Sequence, residues 1–449
     1  MQVKITNANI KEWAKNYDGE LFDGILCDPP YELGFMGKSW DSSGIAFDSE
    51  MWAYIFKLLK PGGHLLAFSG SRTYHRMAVA IEDAGFEIRD MIEWVYGSGF
   101  PKSLNIAKQL DKMVSVETGS VPGQKQTNVT LNGTKDQPSS WDNNEYGGGN
   151  AKCDKCGKWF ISGSPCTCPK EKVEYKTDEG RLFEGYGTAL KPAHEPCVLA
   201  RKPIEGTVAD NVLKHGTGGL NIDGSRINTK ESLAGGSGRI GGFAGKEQGG
   251  DVSEYRVEGN SIGRFPANLI HDGSDEVEAV FPNSKSASNT KSTSGNHFTA
   301  GNAGVATRTV YENGAPYAGE TGSASRFFYC AKSSKGERNA GLEGFEDRIA
   351  GGMQGRADGS LAGNIVMNKN HHPTVKPLSL TKYLATLIKP PTGGRLLVPF
   401  SGSGSEMIGA LQAGWEYVEG VELTEEYIPI AEARIEYWLK QMNKQLEIL

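Results

Sequence analysis

The chain has no run of about 18 apolar residues, the length a helix needs to cross a bilayer. Its opening, MQVKITNANI, lacks the charged-then-apolar order of a secretion signal, so a soluble, cytoplasmic protein is expected. Positive charge is not in excess either: 48 Lys and Arg stand against 54 Asp and Glu, a net charge of −6. That does not suggest a surface coated for non-specific nucleic-acid binding, and any such contact has to come from local basic patches. The glycine loop at 400–404 carries no GK[ST] phosphate cradle, and no repeat period appears between about 204 and 364. Cysteine is limited to seven residues, an odd number, and four of them fall within 153–168. A disulfide framework is therefore not expected, whereas metal binding in a reducing compartment is.

Glycine, by contrast, is plentiful at 59 of 449 residues, concentrated between 146 and 365, where loops must dominate. A chain of this length has room for two or three domains. From residue 1 to about 111, short apolar runs alternate with helical patterns: a strand at Val3 to Thr6, a helix in IKEWAKN, and a buried strand in FDGILC. A helix EMWAYIFKLL follows, with Ser49 as its cap and Trp52, Ile55, Phe56 and Leu59 on one face. Pro61-Gly62-Gly63 is expected to stop it before the strand HLLAF. The alternation ends with the helix RTYHRMAVAIEDAG and the strand FEIRDMIEWVYG. Such a βαβαβ order predicts an α/β fold, a mostly parallel sheet with helices on both faces.

Residues 112–185 read as an insertion, EPCVLAR within 186–203 as a returning strand, and 204–364 as loops with apolar islands such as FPANLI and SRFFYCA. Regular structure resumes over 365–449, with a helix from Leu378, the strand RLLVPF, the loop SGSGS, a helix, the strand WEYVEGVEL and a long amphipathic closing helix. The sheet is thus expected to be assembled from both ends of the chain.

Two constellations carry chemistry. Asp28-Pro29-Pro30-Tyr31 follows a buried strand, and two prolines force the strand to end there, because proline cannot donate to a sheet ladder. A carboxylate, two rigid carbonyls and a ring at a sheet's mouth suit an exocyclic amino group on a flat heterocycle. The second is Phe400-Ser401-Gly402-Ser403-Gly404, between a strand and a helix, where glycine lets backbone approach a ligand. Glu422 ends the next strand, at the spacing where an acid accepts from the ribose hydroxyls of a nucleoside cofactor. The alternative is a tight turn whose glutamate faces water.

Together these motifs, with GFMGKSWD, HPTVKP, PFSGSGSE, HEPCVLARKP and GFPKS, resemble the S-adenosylmethionine-dependent amino-methyltransferases of DNA that act on adenine N6 or cytosine N4. The likeness is to the permuted, beta-type order, in which DPPY precedes FxGxG, and to phage- or prophage-borne members. It implies a Rossmann-like methyltransferase fold with a target-recognition region between the catalytic halves. It also implies double-stranded DNA as substrate, with adenine N6 favoured by the Asp at position 28 and cytosine N4 as the alternative. By the same resemblance Asp28 and a carbonyl of Pro29 or Pro30 accept from the target amino group, and Tyr31 stacks on a flipped base. Phe400, Gly402, Ser403, Gly404, Glu422, Lys376, Pro377 and Asn9 hold the cofactor. Val398 and Asn9 depart from the acids often found at their positions. The resemblance is compatible with a homodimer, with a partner restriction nuclease, and with a bacterial or phage-infected cell. A catalytically inactive DNA-binding module is the competing class.

Three further expectations come from the residues themselves. Cys153, Cys156, Cys166 and Cys168 offer four thiolates for a structural zinc knuckle, with free surface thiols as the alternative. Lys332, Lys335 and Arg338, with Arg326 nearby, are candidate phosphate contacts or a solvated face, and Lys102 is a phosphate contact or part of a surface turn. Cys27, Cys197 and Cys330 lie in apolar strands and are expected in the core, and His371 and His372 pack near the cofactor or bind metal.

Overall fold

The computed structural model describes residues 1–33, 39–97, 99, 103–117, 151–152, 159–160, 175–229, 263–285, 297–299, 307–309, 321–332, 334, 336–349 and 367–448. They divide into two compact units, one of residues 1–97, 194–337 and 376–449, the other of 98–193 and 338–375.

The first unit is built on a nine-stranded sheet. Its strands are β1 (Gln2–Asn7), β2 (Phe22–Cys27), β3 (Leu59–Phe68), β4 (Glu87–Val95), β5 (His194–Arg201), β6 (Leu269–His271), β7 (Tyr329–Cys330), β8 (Arg395–Pro399) and β9 (Tyr417–Glu422). Their order across the sheet is β1-β9-β8-β2-β3-β5-β4-β6-β7. Every neighbouring pair is parallel except the two made by β5, which runs antiparallel to both β3 and β4. Side chains of successive strand residues point to opposite faces. Leu26, Leu66, Leu396 and Val398 therefore enter one core, and Ile25, Leu65, Leu397 and Ala67 enter the other. Helices α1 (Ile10–Lys15), α2 (Ser49–Leu58) and α3 (Tyr74–Asp83) cover the second core. Helices α5 (Leu378–Leu387), α6 (Ser405–Gln412) and α7 (Ile428–Ile448) cover the first. A further helix, α4, spans Val208–His215. No helix among the described residues is long and apolar enough to cross a membrane.

This is the expected α/β sheet with helices on both faces, drawn from both ends of the chain. Its details correct several local expectations. Asp48, not Ser49, caps α2, accepting from the backbone N–H of Glu50 and Met51, which moves the buried face to Met51, Trp52, Ile55 and Leu58. Pro61-Gly62-Gly63 does not separate helix from strand; β3 runs through it from Leu59, with a register shift against β2 that absorbs Gly62 at φ +77°. Two apolar islands within 204–364 supply β6 and β7, extending the sheet beyond β4. Cys27 and Cys197 are fully buried as expected, whereas Cys330 is half-buried.

In the second unit, Asp111 on the helix Ile106–Glu117 accepts from the backbone N–H of Lys176 and Thr177 and from the Thr177 hydroxyl. That hydroxyl also caps the short helix Asp178–Leu182.

Candidate active site

Strands β2 and β8 are adjacent and parallel at the middle of the sheet, and the chain leaves them in opposite directions, β2 toward β3 and β8 toward β9. A crevice opens outside the carboxyl ends of such a pair, where the connections diverge to either side. Both constellations read from the sequence sit there. Asp28 follows β2, and Phe400 follows β8.

The acceptor corner is tied together by side chains from three stretches of chain. Lys376, 5% exposed, donates to Asp28 Oδ2 at 2.7 Å and to the Tyr31 hydroxyl at 3.0 Å, and its charge is paired with Glu195 Oε2 at 3.1 Å. Tyr31 in turn donates to Glu195 Oε2 at 2.8 Å, and its carbonyl accepts from the Thr73 hydroxyl. Asp28 Oδ1 is buried and has no hydrogen-bond partner among the described residues. Leaving a carboxylate oxygen buried and unbonded costs about 1–3 kcal/mol or more, so it marks a place shaped for a donor that arrives from outside. Burial alone would depress the Lys376 ammonium, but the Asp28 and Glu195 carboxylates outweigh it and hold the proton on well above the usual range. Burial, reinforced by Asp28 and Glu195, pushes the Tyr31 phenol far up, so it stays a neutral donor.

Glu195 was not among the residues singled out from the sequence. Because β5 is antiparallel, its first residues lie at the carboxyl edge of the parallel strands, beside Asp28. The stretch HEPCVLAR held that signal only for a reader who knew the strand's direction.

On the other side of the crevice, Phe400, Gly402 and Gly404 all have positive φ, at 63°, 51° and 82°. For Phe400 this is a strained conformation, of a kind that persists where the surrounding structure over-determines it. Glu422, 8% exposed, accepts from the backbone N–H of Gly402 at 2.7 Å and of Thr424 at 2.8 Å. Burial raises this carboxyl, against the pull of those backbone donors. The Ser401 hydroxyl is buried without a partner among the described residues, whereas Ser403, the serine named from the sequence, is bound by Arg434. Arg434 on α7 is fully buried and also bonds the Ser403 carbonyl and the Ser405 hydroxyl, so the glycine loop is clamped from the last helix.

Asn9 follows β1, whose Asn7 stands opposite Glu422 and whose next residue, Ala8, donates its backbone N–H to the Glu422 carbonyl. Asn9 is exposed, and its side-chain oxygen caps α1 by accepting from Lys11 and Glu12. Pro377 begins the turn into α5, its carbonyl accepting from Leu380 and Thr381. Of the candidate phosphate contacts, Arg326 bonds Ser284 and the carbonyls of Gly322 and Ser323, and Arg338 bonds the carbonyls of Asn370 and His372. Both guanidiniums thus help to hold their own loops. Lys332 is exposed. Lys102, Lys335 and the cysteines Cys153, Cys156, Cys166 and Cys168 lie outside the described residues, among which no group of three or more His, Cys, Asp or Glu could hold a metal.

A mostly parallel sheet whose crevice joins an acceptor corner to a glycine loop and a buried acid fits an α/β methyltransferase fold. Residues 22–433 match the N6/N4 methyltransferase family described as DNA methylase, a span that takes in both sides of the crevice. The chain belongs to that family and is a DNA amino-methyltransferase. None of the curated protein sequences matches it. Among solved structures it is similar to the PvuII DNA methyltransferase (cytosine-N4-specific), at 10% identity over 100% of this chain and 93% of that one, TM-score 0.39. It is similar to the M1.HpyAVI–SAM complex at 14% identity over 97% and 99%, TM-score 0.37. A third likeness is to a DNA modification methylase from Thermus thermophilus complexed with S-adenosyl-L-methionine, at 13% identity over 97% and 93%, TM-score 0.33.

Proposed function

We propose that this DNA methylase transfers a methyl group from S-adenosylmethionine to the exocyclic amino group of a base flipped out of duplex DNA, adenine N6 in the first place. The observation that carries the reading is the buried, unbonded Asp28 Oδ1 directly after β2, the strand beside β8, which leads into the glycine loop. When bound, S-adenosylmethionine supplies a sulfonium methyl, held by Phe400, Gly402, Gly404 and Glu422. The amino lone pair of a base is normally delocalised into its ring. Asp28 Oδ1 and a carbonyl of Pro29 or Pro30 accept its two N–H bonds and draw the nitrogen toward a tetrahedral shape, freeing the lone pair. Nitrogen then bonds to the methyl carbon as the carbon–sulfur bond breaks and its electron pair stays on sulfur. The surplus proton on nitrogen passes to Asp28 Oδ1. Extrusion of the base is required because its amino group is out of reach inside the stack.

Incubation with labelled S-adenosylmethionine and duplex DNA, followed by digestion to nucleosides, tests this directly. Label in N6-methyladenine supports the full reading, label in N4-methylcytosine moves the target to the other amino group, and DNA without label refutes the transfer. Asp28→Ala is expected to lower transfer by about 10³-fold, the scale of a lost transition-state acceptor, with cofactor affinity changed by no more than about threefold. Lost cofactor affinity would mean Asp28 has another role.

A further inference from the structure

Lys376 was placed with the cofactor residues by resemblance, but its ammonium is otherwise engaged. Two of its N–H bonds go to Asp28 Oδ2 and the Tyr31 hydroxyl, and the charge is also paired with Glu195 Oε2 at 3.1 Å. The nitrogen also sits 4.8 Å from the centre of the Phe68 ring and 5.3 Å from that of Tyr31. The ammonium is thus committed chiefly to the acceptor corner. Its partners are far away in sequence, 348 residues for Asp28 and 345 for Tyr31, so the contact welds the carboxyl-terminal part of the chain to the acceptor corner. Glu195 completes the arrangement by accepting from Tyr31 and pairing its charge with Lys376, and it also faces the Tyr96 hydroxyl. Of the two Asp28 oxygens, Lys376 occupies one and leaves the other bare.

We propose that Lys376 and Glu195 are positioning residues for methyl transfer, which fix the Asp28 carboxylate and the Tyr31 ring so that Oδ1 is the one oxygen offered to the target amino group. This rests on the methyl-transfer reading above and deepens it. Glu195 acts through Lys376 and Tyr31, and neither it nor Lys376 touches the reacting atoms. A flexible lysine suits the task because its point charge can serve three acceptors at once, where the planar fork of arginine could not.

The test is a double-mutant cycle of Lys376→Met and Glu195→Ala, read by single-turnover rate at saturating DNA and cofactor and by calorimetric affinity for S-adenosylmethionine. Misplacing a catalytic group by about 1 Å costs on the order of 100-fold, so Lys376→Met is expected to lose about that much. The double variant should lose no more than Lys376→Met alone, and cofactor affinity should stay within about threefold throughout. An affinity loss above about tenfold with an unchanged rate would make Lys376 a cofactor residue and overturn the proposal. So would losses that multiply in the double variant. Lys376→Met strands two carboxylates in a buried corner; if it does not fold, the Glu195 variants decide. Glu195→Gln, which keeps an acceptor, should recover most of the rate that Glu195→Ala loses; wild-type rates in Glu195→Ala refute the idea. A wild-type protein that methylates no DNA sinks the functional reading and this one with it. An active wild type with unaffected variants sinks only this one.

Discussion

Glu406 enters the first turn of α6 directly after the glycine loop, and it is only 4% exposed. Burial, with the Asp28 carboxylate adding to it and Lys376 and Arg434 opposing, raises its carboxyl from 4.5 to about 7. Between those values the unfolded chain has lost this proton while the folded chain still holds it. The contribution to stability is therefore fully present below about pH 4.5 and is lost as pH rises toward 7. Glu406→Gln removes the titration. The stability of this variant relative to wild type is expected to climb across that window by up to about 3 kcal/mol, at about 1.36 kcal/mol per pKa unit. Urea unfolding at a series of pH values checks it, and parallel curves for the two proteins would refute it. Glu406, Glu195 and Arg434 share one reason for having escaped a reading of the sequence. Each owes its importance to groups brought beside it by folding, whereas Asp28 and Glu422 are marked by their position at the end of an apolar strand. Arg326 and Arg338 were marked by their neighbours in sequence, whereas folding shows that both guanidiniums also bond backbone carbonyls.

The elements that periodicity announced are those with strong neighbours on both sides: β2 with FDGILC buried at every position, β8, β9, and the helices α5 and α7. What local pattern could not supply was direction and edge. Nothing in HEPCVLAR distinguishes a parallel from an antiparallel strand, and β6 and β7, at three and two residues, are too short for any period to show. Close approach of helices is also invisible until glycines are placed. A Cβ at Gly409 on α6 would lie 2.3 Å from the Thr381 hydroxyl oxygen and 2.6 Å from the Lys382 backbone nitrogen, both on α5. The two helices pack through that gap beneath the glycine loop, and α5 carries the chain on from Lys376. Gly409→Ala is expected to destabilise the protein by about 1–3 kcal/mol, because the backbone of α5 has to move. Gly219→Ala, where a Cβ meets nothing within 4 Å, should stay within about 0.5 kcal/mol. Equal midpoints for the two variants in urea would show that the α5–α6 contact is looser than this.

At the scale of the first unit, the order of strands explains why the site needs distant parts of the chain. From the β1 edge to β3, strands of the amino-terminal and carboxyl-terminal stretches are interleaved: β1 is bonded to β9, β9 to β8, β8 to β2, and β2 to β3. Asp23 of β2 accepts from the Arg395 backbone N–H of β8 at 2.7 Å, and Leu396 and Leu397 stand opposite Gly24 and Ile25. The sequence announced this dependence through the positions of its two motifs, but not the register that enforces it. A chain ending at residue 375 would keep Asp28 and Tyr31 yet lose Lys376, the glycine loop and Glu422. It would also lose Leu380, Leu384, Leu396, Leu397, Val398, Met407, Ile408, Leu411, Trp415 and Val418, all fully buried. At about 1.5–3 kcal/mol for each such side chain, that burial matches or exceeds the 5–15 kcal/mol or so by which a typical domain is stable. The truncated chain is expected to show no cooperative unfolding transition by calorimetry or circular dichroism, and to bind no S-adenosylmethionine. Co-expression with a separate 376–449 fragment should restore both a cooperative transition and cofactor binding, since the lost strands dock between β1 and β2 by sheet pairing and core contacts. A cooperative transition in the 1–375 chain alone would show that its strands form a core without β8 and β9.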